Sequence, residues 1–281
     1  HSTRLTTNPI AFHIRPSAIG GFAIDSCSLG LDVMPNNLIL IDLGKSLEAM
    51  LTMEPEQFER MLLKGRAVPG EASKPRDAYH YLKVGGMLLR AQLDCVDESL
   101  PGENKTFDIK PRATVAVRRA CGNSRRHTGY RLSRLLGESH SYEREYYDMA
   151  RSAFLKYNMQ VRIGRMHGVF VAFHNTQELF GFEYLSQHDL DECLFGTTAL
   201  GDRTFAIVCQ LTEMMLGKIV ADFRAQLQAP HDALRCVLAP NRNNSSVQIF
   251  VEHVPRDPGW RDQHWVDAHG ATVQTQPMTE Q

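Results

Sequence analysis

The stretch that most limits how this chain can fold is "MLLRAQLDCVDESLPGENKTFDIKPRATVAV", residues 87 to 117. Two runs alternate apolar and polar residues, the period of a strand with one face buried. The turn-forming "ESLPGEN" between them folds the second run back on the first. On the first run Arg90, Gln92 and Asp94 share a face, and on the second Asp108, Lys110 and Arg112 share one. Pairing across the turn then sets Asp94 and Asp108 at similar height with Lys110 beside them.

Facing carboxylates repel, and when partly buried they require that one be protonated or that a cation sit between them. Such oxygen ligands suit Mg²⁺ or Mn²⁺, which keep several waters and accept phosphate oxygens. The backbone carbonyl of Ile109 is a further candidate ligand, and Lys110 is placed to orient or deprotonate a water aimed at a phosphodiester. Asp97 is the alternative to Asp94, but three residues further along a regular strand it faces the other side.

The run after Asp108 is basic. Lys110, Arg112, Arg118, Arg119, Arg125, Arg126, Arg131 and Arg134 precede Glu138 with no carboxylate among them. A patch of one sign suits a polyanion, although a solvated basic loop has the same composition. The chain as a whole, with a formal charge of -1 over 281 residues, does not advertise nucleic-acid binding.

Residues 1–43 mix short apolar runs with Gly and Pro and form a poorly assigned N-terminal segment of strands and turns. "GKSLEAMLTMEPEQFERMLLKG" has helical spacing broken around Pro55, and "YHYLKV" begins a meander of strands that ends in "TFDIKPRATVAV". "SYEREYYDMARSAFLKYNMQVRIG" predicts one long helix with Ser141 as N-cap and Glu143 and Glu145 in its first turn. Two strands ("GVFVAFHN", "ELFGFEYL"), a second long helix from Gly201 and two late strands ("LRCVLAP", "SVQIFVEHV") come next. The order predicts an α/β fold, a mixed β-sheet flanked by helices. One large domain over 44–254 and an irregular tail over 255–281 complete the expected organisation.

Six scattered cysteines with no CxxC pair argue against a zinc knuckle or disulfide scaffold. His127, His140 and His167 show no metal-ligand spacing. The longest uninterrupted apolar runs, such as "VFVAF" and "LILI", fall far short of the roughly 20 residues that span a bilayer, so no transmembrane segment is expected.

An aspartate followed fourteen residues later by DxK on the next strand resembles the RecB-like branch of the PD-(D/E)XK nucleases. "RAQLDCVDESLPG", "FDIKPRA" and above all residues 141–175, "SYEREYYDMARSAFLKYNMQVRIGRMHGVFVAFHN", resemble the fungal mitochondrial Pet (petite) RNA-processing family, over about Leu43 to Phe223. The resemblance implies a protein of mitochondria, in the matrix or peripheral to the inner membrane, with a restriction-endonuclease-like PD-(D/E)XK core. It would act on single-stranded mitochondrial RNA in 5′-end maturation and turnover, as an exoribonuclease, alongside the transcription or RNA-decay machinery.

Asp94, Asp108 and Lys110 take the catalytic positions on that resemblance. Glu48 takes the leading acid as a third metal ligand, Gln160 takes the helix glutamine near the site, and Arg162 and Arg165 contact phosphates beside the arginines above. Pro111 stands where the family has Thr after the lysine, and a proline there requires an edge or a bulge. The departure keeps open a second reading, a non-catalytic RNA-binding accessory subunit with a nuclease-like fold.

Overall fold

The computed structural model describes residues 8–17, 20–26, 44, 46–62, 78–99, 103, 105–120, 129–175, 177–228, 232–241 and 245–255. The expected cap Gly65, the loop after it and the expected tail from Arg256 lie outside the described residues. Two compact units divide the chain, one over 33–217 and one joining 4–32 to 218–281. The division departs from the boundaries expected at 43 and 254 because the first strands find their ladder partners in the last ones.

In the second unit, β1 (Ile10–Pro16), β2 (Phe22–Ser26), β9 (Ala233–Pro240) and β10 (Val247–Val254) form an antiparallel sheet in the order β10-β9-β1-β2. β9 and β10 pair from Ala233↔Val254 to Pro240↔Val247, and β1 adds to the other edge of β9. Ile14, Leu234 and Cys236 are buried.

The first unit holds helical residues 46–52 and α1 (Pro55–Leu62), then β3 (Ala78–Val84) and β4 (Met87–Leu93). β3 and β4 make a hairpin closed by Gly85 and Gly86, and the positive φ of Gly85 suits the tight turn their register demands. His80 Nδ1 meets the Ile163 carbonyl oxygen at 2.8 Å and ties the hairpin to a helix beyond. A four-stranded sheet comes after it, β5 (Cys95–Val96), β6 (Thr106–Ala113), β7 (Gly168–His174) and β8 (Leu179–Ser186), in that spatial order. β6 and β7 are parallel and the outer pairs antiparallel, so the sheet is mixed, as expected.

The crossover from β6 to β7 carries α2 (Val115–Arg119), α3 (Tyr142–Ser152) and α4 (Phe154–Gly164). Register places Asp108, Lys110 and Arg112 on the same face as Val169, Val171, Phe173, Glu183 and Leu185. That face is covered by Met149 of α3 and by Phe154, Tyr157 and Val161 of α4, which form the core with Val169, Val171, Phe173 and Leu185. The polar residues of β6 are thus sealed under helices rather than left in water. After β8 come α5 (Gln187–Phe195) and α6 (Thr198–Asp222).

Three expectations are corrected. The strand ends at Ala113 and "VAVRR" is helical, because Thr114 N–H goes to the His174 carbonyl and the buried Glu145 carboxylate takes the Val115 N–H at 2.7 Å. A tertiary partner for the first helical amide outweighs the β preference of the valines. The single long helix is two, broken at Ala153, although Ser141 caps the first as expected, its Oγ accepting from Arg144 N. Helix α5 was not anticipated, and its signal was the capping box Ser186 to Asp189 closed by the left-handed Gly196.

The second long helix is α6, 25 residues with a window of mean hydropathy 1.4, long and apolar enough by length and composition to cross a membrane. Core helices share those properties, so they assign no membrane to it.

Gly168 opens β7 where a Cβ would stand 2.5 Å from the Leu185 carbonyl oxygen, a backbone atom that cannot swing aside. Gly168→Ala is expected to cost about 1–3 kcal/mol by overpacking. It should lower the urea midpoint with no change in slope.

Candidate active site

Four residues expected from the sequence meet at the start of β6. Asp94 occupies the break between β4 and β5, whose pairing Cys95↔Phe107 sets it level with Asp108. Asp94 Oδ2 accepts the Ile109 N–H at 3.0 Å, so Ile109 contributes its amide to the site. Lys110 Nζ lies 2.6 Å from Asp108 Oδ2 and 3.7 Å from Asp94 Oδ2. Gln160, on α4, donates from Nε2 to Asp108 Oδ1 at 2.7 Å.

Asp108 is fully buried. Burial pushes its carboxyl up to about 7, Asp94 adds to the rise, and the Lys110 ammonium opposes it. Cys95 registers the same field: burial and then the charges of Asp94, Asp97 and Asp108 push its thiol up to about 11. One ammonium shared by two carboxylates leaves the pocket short of positive charge, Lys110 Nζ standing 2.6 Å from Asp108 Oδ2 and 3.7 Å from Asp94 Oδ2. A hard divalent cation held through oxygen and its own waters fits that deficit.

Asp97, the alternative to Asp94, accepts Ser99 N and Oγ on its Oδ1 at 2.9 and 2.6 Å in the exposed turn. Glu48 is half-buried on the helix over 46–52, its carbonyl accepting from Thr52 Oγ1. Pro111 keeps its place opposite Ala172 on β7, while β5 pairs β6 only as far as Phe107, so the proline stands where the other edge has no ladder partner.

The arginines depart from expectation. The fold brings in acids that the local sequence lacks: Asp148 of α3 binds both Arg112 and Arg118, at 2.9 and 2.7 Å. Arg118 also reaches Glu145 Oε2 at 3.7 Å and the Ala113 carbonyl. Burial opposes ionisation of Asp148, but Arg118 and Arg112 together hold its carboxyl below the usual range. Arg131 makes a fork to Glu178, and Arg162 is buried against Asp191, Asp202 and Asn158. Arg162 is therefore held by acids of the fold, one buried and one exposed.

Arg119, Arg134 and Arg165 are exposed, and Arg125 and Arg126 lie outside the described residues. Asp148 and Glu145 were the residues missed. Their signal was three-residue spacing on the helix face that Met149 buries.

Beside them, Glu183 on β8 is pushed up to about 7 by burial and then by Glu145. Register sets Glu183 level with Lys110 on the same helix-covered face, with β7 between them.

A carboxylate pair, a lysine and a glutamine thus converge on an inner strand of a mixed α/β sheet. The family described as mitochondrial protein Pet127 matches residues 1–217, and the chain belongs to that family. The mitochondrial localisation expected from the sequence is that of the family. Over 219 residues it is 36% identical to the mitochondrial mRNA degradation protein pet127 of Schizosaccharomyces pombe, covering 77% of this chain and 40% of the relative. Over 236 residues it is 38% identical to PET127 of Saccharomyces cerevisiae, named as a candidate component of the mitochondrial translation system, covering 81% and 27%. The chain thus spans less than half the length of either relative.

Proposed function

We propose that this chain is the core of a metal-dependent ribonuclease that trims 5′ ends and degrades RNA in mitochondria, acting as an exonuclease on single strands. The observation that carries the reading is the cluster of Asp94, Lys110 and Gln160 around the buried Asp108. The RNA comes from the naming of the fission-yeast relative as an mRNA degradation protein. The parallel β6–β7 pair with its helical crossover supports a PD-(D/E)XK-like core.

Asp94 and Asp108 would hold Mg²⁺ or Mn²⁺, which when bound supplies Lewis-acid stabilisation of charge developing on the phosphodiester. Gln160 fixes the Asp108 carboxylate in one orientation, and the Ile109 amide does the same for Asp94. Lys110, partly exposed beside both, orients the attacking water or takes its proton. The exposed Arg119 and Arg134 lie beyond the active strand and would track the phosphate backbone, which makes binding weaken as salt rises.

One observation favours the accessory reading. The Lys110 ammonium already bridges both carboxylates, where a metal ion would otherwise sit. The test is purified protein with 5′-monophosphorylated single-stranded RNA in Mg²⁺ or Mn²⁺ and in EDTA. Shortening that stops with EDTA is the expected result; RNA binding with no cleavage under any metal would establish the accessory role instead.

A further inference from the structure

The hairpin of β3 and β4 packs one face and displays the other. Ala91 and Leu93 join the core that α4 completes, and His80 meets the Ile163 carbonyl, so the residues alternating with them turn outward. Those six are Tyr79, Tyr81 and Lys83 on β3, opposite Gln92, Arg90 and Leu88 on β4. An antiparallel sheet with one face in water ordinarily presents polar residues there. This one presents large apolar groups instead, with Tyr79, Tyr81 and Leu88 exposed by 37%, 55% and 64%.

The charge on that face has one sign. Lys83 and Arg90 stand on it with no carboxylate among the six, and no described residue forms an ion pair with either. Glu213 of α6 meets the hairpin at its turn, accepting the Gly86 N–H at 2.7 Å, which is the end farther from Asp94. The Arg90 guanidinium lies 4.6 Å from the centre of the Tyr79 ring, a cation–π contact that holds both side chains against the strands. Tyr81, directly opposite Arg90, keeps its ring exposed.

Alternate residues of a strand stand about 7 Å apart, so the two tyrosines make successive steps beside a row of positive charge. Aromatic rings set among Arg and Lys on a sheet surface stack unpaired bases while the cations meet phosphates. An acidic peptide would answer the charges and leave the rings unused. The strand also leads to the site: Asp94 follows Arg90 and Gln92 by about 13 and 7 Å of extended chain.

We infer that the outer face of this hairpin is a base-stacking platform for single-stranded RNA, with Tyr81 under one base, the Tyr79 and Arg90 pair under the next, and Lys83 on a phosphate. The inference rests on the RNA reading above and gives it a surface outside the carboxylate cluster. Paired bases have no open face to offer, so the platform selects single strands.

The experiment measures binding in EDTA, independent of any cleavage, of a short single-stranded RNA and of a duplex of the same sequence. Tyr81→Ala should weaken the single strand roughly tenfold, the loss of one stacked base, and leave the duplex unchanged. Tyr81→Phe should bind as wild type does. Lys83→Ala should lower the salt slope of single-strand binding by about one. Cross-links from 4-thiouridine in the RNA should map to residues 78–93.

Wild-type affinity of Tyr81→Ala for the single strand, an equal loss on the duplex, or cross-links that spare residues 78–93 overturns the inference, even in a protein shown to cleave RNA. A loss in Tyr81→Phe as large as in Tyr81→Ala overturns the stacking. Polyglutamate bound as tightly as RNA, with both lost in Tyr81→Ala, makes the face a dock for an acidic protein segment and overturns the inference as well. The expected pattern in a protein that never cleaves upholds the platform and defeats the nuclease reading alone.

Discussion

Asp108→Asn is expected to abolish RNA shortening and divalent-ion binding while leaving the protein as stable as wild type below about pH 4 and more stable at about pH 8. The Asp108 carboxyl titrates near 7 in the folded chain, against 3.8 for an ordinary aspartate. The folded state therefore binds the proton more tightly than the unfolded one. That contribution to stability is fully present below about pH 4 and is lost as pH rises through 7. A rise of that size corresponds to at most about 4 kcal/mol of cost for the ionised, buried carboxylate.

Asparagine keeps the volume and can still accept from Gln160, but it carries no charge to bury. Glu183, also pushed to about 7, contributes a slope of the same sign and survives the substitution, so the pH dependence should flatten by about half rather than vanish. Because the ligand must be ionised, Mn²⁺ should stabilise wild type increasingly as pH rises through 7 and should not stabilise the variant at all. Urea unfolding at the two pH values, with and without Mn²⁺, reads all of this. A variant that still gains stability from Mn²⁺, or still cleaves, would remove Asp108 from the metal site.

The features legible in the sequence were local. Asp94, Asp108 and Lys110 could be brought together because strand alternation and one turn place them, and both act over fewer than twenty residues. Gln160 came through resemblance alone, since no periodicity on α4 says which strand residue its amide will meet. The arginines show the limit in the other direction. A run without acids looks unpaired along the chain, yet Asp148 and Glu178 reach its arginines from 30 to 47 residues away.

The helix at Val115 was hidden for the same reason: its first amide is claimed by Glu145, thirty residues on. The pairing of β1 with β9 was equally out of reach, because nothing within either strand names a partner more than two hundred residues distant.

Removing Asp191 is expected to be the most damaging single change in the first unit, about 3–5 kcal/mol. Arg162 has a side chain only 6% exposed, and both Asp191 oxygens meet its Nη2, at 2.7 and 2.8 Å. Asn158 bridges the pair, donating to Asp191 and accepting from Arg162 Nε. Asp202 is largely exposed and contributes little, since water already screens its pair.

Gly201 has no side chain where a Cβ would stand 2.5 Å from both Arg162 Nη2 and Asp191 Oδ1, so α6 closes over the network. Asp191→Ala would leave a buried guanidinium with one exposed carboxylate and an orphaned asparagine amide, and the midpoint of urea unfolding should fall steeply. If the cost comes from the stranded charge, the triple variant Asn158→Leu, Arg162→Met, Asp191→Leu should recover most of it, because an apolar set of similar volume leaves no buried charge or amide unpaired. A single Asp191→Ala variant that loses less than about 1 kcal/mol would show instead that water reaches Arg162, and would reopen that arginine to phosphate.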